Sequence, residues 1–114
     1  MIRTILFFAT YIPFTGLCIL IAITVSLFST ADRVHAVATA WGKIGLMLGG
    51  VRLKIEGEEN IPLGRPAIFM ANHQSNFDIP TLYAGLPVQF RWLAKKELFA
   101  IPFFGLAMKR SGYI

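Results

Sequence analysis

No charged residue occurs between Thr4 and Ala31; Arg3 precedes the run, and Asp32 and Arg33 follow it. A bilayer span needs about 20 apolar residues, so the run predicts a helix long enough to cross a membrane. Pro13 and Gly16 interrupt it and predict either a kinked spanning helix or one that enters a single leaflet. Thr10, Thr15, Thr24 and Ser26 dilute its hydrophobicity, which keeps the shallow arrangement open. A signal peptide is the competing reading, but its apolar region is normally shorter, and no clear small-residue cleavage site precedes Asp32. Arg3 on one side and Arg33 with Lys43 on the other leave the orientation unset.

A second helix is expected over about Arg33 to Leu48, with Asp32 as its cap. Trp41 and Lys43 suit a membrane interface. Gly45 and Gly49 have the spacing that lets two helices approach closely, although Gly49-Gly50 also reads as a helix stop. His35 has no partner at catalytic spacing and reads as an interfacial polar residue.

After Gly50 the apolar period changes from helical to two. Val51, Leu53 and Ile55 alternate with Arg52, Lys54 and Glu56, the pattern of a half-buried strand. Residues 57–65 are polar, contain Pro62 and Gly64, and read as a loop. Ala67 to Ala71 is apolar on both faces, as a central strand is. A helix is expected from about Asp78 to Gly85, a third strand over Gln89–Lys95, and a last, almost wholly apolar helical segment over Glu97–Arg110. A fourth strand is expected to begin near Tyr113-Ile114. The predicted class is α/β: membrane-associated helices over 1–50, then the first part of an α/β domain over 51–114.

Composition sharpens this picture. The chain has 114 residues, enough for one domain with a modest core, and 55% of them are hydrophobic, with a mean hydropathy of +0.61. Those values exceed an ordinary soluble domain. Membrane association accounts for the excess. The formal net charge of +5 suits anionic lipid headgroups or a phosphorylated substrate. Nucleic acid is disfavoured, because there is no dense Lys/Arg run and no reading motif. Cys18 is the sole cysteine, so one chain holds neither a disulfide framework nor a cysteine metal cluster. Cys18 itself reads as a small apolar packing residue.

The chemistry concentrates in Asn72-His73-Gln74-Ser75-Asn76-Phe77-Asp78, between the second expected strand and the helix after it. Loops at the carboxyl ends of strands are where α/β folds gather reactive groups. A neutral imidazole can take a proton from a hydroxyl, and a nearby carboxylate can fix its tautomer and stabilise the imidazolium. His73 and Asp78 are the candidates for that pair. Ser75 is a possible nucleophile for a hydrolase. A bland alternative stands beside these: Asp78 as an ordinary helix cap with Pro80 in the first turn, on a small membrane-interaction protein.

The full string resembles the first signature of the glycerolipid acyltransferases, the family of 1-acylglycerol-3-phosphate acyltransferases. Val51–Gly57 with Glu59–Pro62 is similar to the family's lead-in strand and loop, and Ala94–Gly105 to the segment that follows its first signature. The resemblance runs from about Gly50 to Ile114. It implies that His73 is a general base on the free hydroxyl of lysophosphatidate, that Asp78 orients it, and that the hydroxyl attacks the thioester of acyl-CoA or acyl carrier protein to give phosphatidate. It implies neither a metal, nor a cofactor, nor a covalent acyl-enzyme. Lys95 and Lys96 are expected to help hold a phosphate, or else to form a solvated turn or a headgroup contact. Membrane lipids are expected partners, and an inner (cytoplasmic) membrane with the catalytic domain on the cytoplasmic side is the expected location. Acylation of glycerol-3-phosphate or another lysophospholipid is the alternative within the family. The family's later signatures, an Arg-containing strand and a Glu-Gly-Thr-Arg-type segment, are missing here. The chain is therefore expected to be an N-terminal fragment with little or no activity alone.

Overall fold

A computed structural model describes residues 1–114. Its long element is α1, Ile2–Phe28, with Pro13 inside it and no buried residue. At about 1.5 Å per residue, its 27 residues reach some 40 Å, and its best 18-residue window has a mean hydropathy of 2.2, long and apolar enough to cross a membrane. The diluting hydroxyls are accounted for: Thr10, Thr15, Thr24 and Ser26 each donate to a backbone carbonyl three or four residues earlier. These hydroxyl groups therefore leave no unpaired donor on the helix.

Helix α2, Ala31–Gly49, follows α1 after only Ser29 and Thr30 and packs against it. Phe7, Tyr11, Phe14, Thr15, Cys18 and Ile19 are the half-buried side of α1, a helical stripe, while Ile2, Ile5, Leu6, Ile12 and Leu17 stay exposed. Trp41 turns toward α1. It is half-buried between the helices, its ring stacked on Tyr11 at 5.5 Å and its Nε1–H donating to Thr15 Oγ1 at 3.0 Å. His35 is likewise no surface residue; it is 4% exposed against Tyr83 and Phe90. Thr30, not Asp32, occupies the cap of α2, and Asp32 accepts from Arg91 at 2.6 Å. The helix ends on Gly50, whose φ of 67° is the left-handed geometry glycine permits. The Gly50 N–H reaches Met47 O and the Val51 N–H reaches Leu46 O, the paired bonds of a Schellman stop.

Helix α3, Asp78–Gly85, lies on α2 at Gly42. A Cβ on Gly42 would stand 2.7 Å from the Pro80 carbonyl oxygen and 3.0 Å from Tyr83 Cβ. Gly42→Ala is expected to destabilise the folded chain by about 1–3 kcal/mol, the usual cost of overpacking against rigid backbone. Thermal unfolding in detergent checks it; an unchanged midpoint would contradict the close approach.

Two expectations are corrected here. The segment 97–110 is not one helix. Lys96–Ala100 is a 3₁₀ turn, Phe103 sits at φ 61° with Phe104 N–H bonded back to Pro102 O at 2.6 Å, and α4 occupies only Phe104–Arg110. Pro102 cannot donate within a helix, and the tight turn around Phe103 breaks the run. Second, the expected strands are not formed in residues 1–114: the chain is helical and contains no strand. Residues 51–56 and 67–71 are irregular and exposed, with Ile68 91% and Met70 94% accessible. Strand periodicity is a local property, whereas a strand needs a neighbour to take its N–H and C=O groups. The alternation still orients side chains, since Leu53 and Ile55 lie next to Gly85. One pairing does form: Ile114 N–H donates to Trp92 O at 2.9 Å, and Ala94 N–H to Ile114 O at 2.7 Å, the bond pattern of a parallel bridge.

Candidate active site

The turn from Asn72 to Phe77 delivers the chain into α3, and a single carboxylate oxygen organises it. Asp78 Oδ2 accepts the Gln74 N–H at 2.6 Å, the Ser75 N–H at 2.8 Å and His73 Nδ1 at 2.9 Å. Ser75 Oγ accepts the Phe77 N–H at 3.1 Å, and the Asp78 N–H donates to Ser75 O at 3.1 Å. Ser75 is thus engaged in holding the turn. Asp78 is the first residue of α3 rather than its cap, and its carboxylate reaches backwards to the turn.

The Ser75 N–H, then the His73 ring and the Gln74 N–H, hold the Asp78 carboxyl below the ordinary carboxylate range. An ionised carboxylate only accepts, so Nδ1 is the donor, which leaves Nε2 as the bare nitrogen of a neutral imidazole. His73 is 65% exposed and Asp78 29%. The arrangement is that of a general-base pair, with an oriented imidazole whose far nitrogen is open to a substrate.

Because folding lowers the Asp78 pKa, the ionised carboxylate stabilises the turn throughout the neutral range. That contribution disappears only as pH falls through the lowered value. The carboxyl ¹³C shift of Asp78 should titrate with a midpoint below 3.8, its ordinary value. A midpoint at or above it would contradict the three-bond geometry.

His73 and Asp78 stand on the wall of a groove of about 1750 Å³. Its other walls are largely apolar and come from α1 (Cys18, Ile19), α2 (Val34, Trp41), Ile68 to Met70 and α4 (Phe104, Met108). Cys18 packs there as a half-buried free thiol. Of the two expected cations, Lys95 lines this same groove, whereas Lys96 starts the 3₁₀ turn outside it. Arg65, read in the sequence only as part of a polar loop, also lines the groove and makes no ion pair. Nothing local to its sequence distinguishes it. No cluster of three or more His, Cys, Asp or Glu side chains is placed to hold a metal ion.

A carboxylate-oriented imidazole beside an apolar groove has the parts to take a proton from a hydroxyl. The chain belongs to the acyltransferase family, whose model matches residues 52–114. It is 37% identical over 81 residues to the chloroplastic 1-acyl-sn-glycerol-3-phosphate acyltransferase LPAT1 of Arabidopsis thaliana, covering 70% of this chain and 22% of that protein. It is 45% identical over 67 residues to the 1-acyl-sn-glycerol-3-phosphate acyltransferase of Saccharomyces cerevisiae, covering 59% and 22%. To the human 1-acyl-sn-glycerol-3-phosphate acyltransferase alpha it is 33% identical over 67 residues, covering 59% and 24%. The chain thus spans 22–24% of the length of these relatives. No solved structure matches it.

Proposed function

We propose that the complete protein transfers a fatty acyl group from acyl-CoA or acyl carrier protein to the free hydroxyl of lysophosphatidate. The observation that carries this reading is the His73–Asp78 pair, 2.9 Å apart, on the wall of an apolar groove. The names of the relatives agree with it. In the proposed step His73 Nε2 takes the hydroxyl proton as the oxygen attacks the thioester carbonyl. The C–S bond breaks, the imidazolium returns the proton to the departing thiolate, and Asp78 stabilises the imidazolium between these events. The step balances without a metal, a cofactor or an acyl-enzyme. The apolar groove suits a fatty acyl chain, and Lys95, with Lys96 beside it, suits the phosphate.

The remaining expectations join this proposal. Helix α1 anchors the protein in the inner (cytoplasmic) membrane, with the site on the cytoplasmic side, where charged thioester carriers are found. Residues 1–50 form the membrane-associated part. Residues 51–114 begin an α/β acyltransferase domain in which the runs 51–56, 67–71 and 89–95 pair as strands, a reading supported by the two bonds that Ile114 makes to Trp92 and Ala94.

The acceptor test is direct. Thiol release from palmitoyl-CoA by the complete protein in membranes should be accelerated by lysophosphatidate and much less by glycerol-3-phosphate. Equal release with no acceptor would indicate hydrolysis and contradict the reading. Preference for glycerol-3-phosphate would move the acceptor to the family alternative.

A further inference from the structure

We propose that Phe77 is a positioning residue, through which the helix pair α1–α2 holds the His73–Asp78 pair in register. The inference rests on the general-base reading above and adds a residue to it. The side chains of residues 71–76 are exposed, and Phe77 is the first of this stretch to turn inward. Its ring lies 5.5 Å from that of Phe7, the sole half-buried residue among the first ten of the chain. On the other side it rests on Gly49. A Cβ on Gly49 would stand 2.9 Å from Phe77 Cε1 and 3.1 Å from Cζ.

Gly49 is therefore needed for the ring rather than for the helix stop, which Gly50 supplies with its positive φ. The contact extends into both helices. Phe7 stacks on Tyr11 at 4.9 Å, Tyr11 stacks on Trp41 at 5.5 Å, and Trp41 is hydrogen-bonded to Thr15.

One peptide bond joins Phe77 to Asp78. The Phe77 backbone is fixed as well, its N–H on Ser75 Oγ and its carbonyl accepting the Thr81 N–H at 3.0 Å. A displaced ring consequently tilts the start of α3, and the carboxylate that aligns His73 moves with it. Displacements of about 1 Å at a reacting geometry cost on the order of a hundredfold in rate. Phe77 itself touches no reacting atom and acts through Asp78.

The test uses the complete protein in detergent with four variants, Phe77→Ala, Phe77→Leu, Gly49→Ala and the double Gly49→Ala/Phe77→Leu. Two quantities are read: the split of kcat against KM, and the tautomer of His73 from its imidazole ¹⁵N shifts. Phe77→Ala and Gly49→Ala should each lower kcat by about ten- to a hundredfold, with KM for lysophosphatidate within about twofold. In both, the single Nδ1–H tautomer of His73 should give way to a mixture. Leucine has no atoms where Cε1 and Cζ lie, so Gly49→Ala should cost little or nothing further in the Phe77→Leu background. Multiplicative effects of the two substitutions, or activity lost only in proportion to folded protein with the tautomer unchanged, would overturn the proposal. The tautomer reports on the coupling even where His73→Ala remains active. Failure of the base assignment and failure of the positioning role are thus separate outcomes.

Discussion

Replacing His73 with alanine in the complete protein is expected to lower phosphatidate formation by about 10³-fold, mid-range for the loss of a general base. The fall should appear in kcat. Binding of the lysolipid and the thioester draws on the apolar walls of the groove and the lysines, and His73 is one polar residue among the many that line it. The fold should survive, because His73 is 65% exposed and its one hydrogen bond is to a carboxylate that keeps two backbone partners. Initial rates with saturating acyl-CoA and lysophosphatidate check this. Undiminished turnover would remove His73 from the role of base.

Asp78 separates charge from geometry. All three donors converge on Oδ2 alone, so an asparagine can place its amide oxygen at the same point and keep the turn. Asp78→Asn therefore removes the negative charge while preserving the acceptor, and a loss of about 10²-fold or more in kcat is expected from the unstabilised imidazolium. Asp78→Ala removes both. It should lose at least as much activity, and the Gln74 and Ser75 amide protons should exchange faster with solvent because their acceptor is gone. Comparable rates for wild type and Asp78→Asn, with Asp78→Ala alone impaired, would reduce Asp78 to a purely structural tie.

The site was legible in the sequence because it is local. Asp78 reaches residues three, four and five positions back, and a turn entering a helix brings such neighbours together whatever lies around it. The long apolar helix was equally legible, since length and the absence of charge are one-dimensional properties. The misread features are those that depend on distant partners. Trp41 takes its hydrogen-bond and stacking partners from Thr15 and Tyr11, many turns away. His35 is buried by Tyr83 and Phe90, which the chain supplies only much later. The strands fail for the same reason: their alternation is written locally, but their hydrogen bonds must come from other segments, and Ile114 is the one such partner in place. Gly49 had two sequence readings, close packing or helix stop. The structure divides them, placing the Phe77 ring on Gly49 and the stop at Gly50.

The acyl group's destination tests the account most directly. Acyl-CoA labelled with ¹³C at the thioester carbonyl is given to the complete protein in membranes with lysophosphatidate, and the products are resolved by mass spectrometry. The label is expected in a new ester of phosphatidate, with one free thiol released per label transferred. Label recovered as free fatty acid, with the lysophosphatidate unchanged, would contradict it.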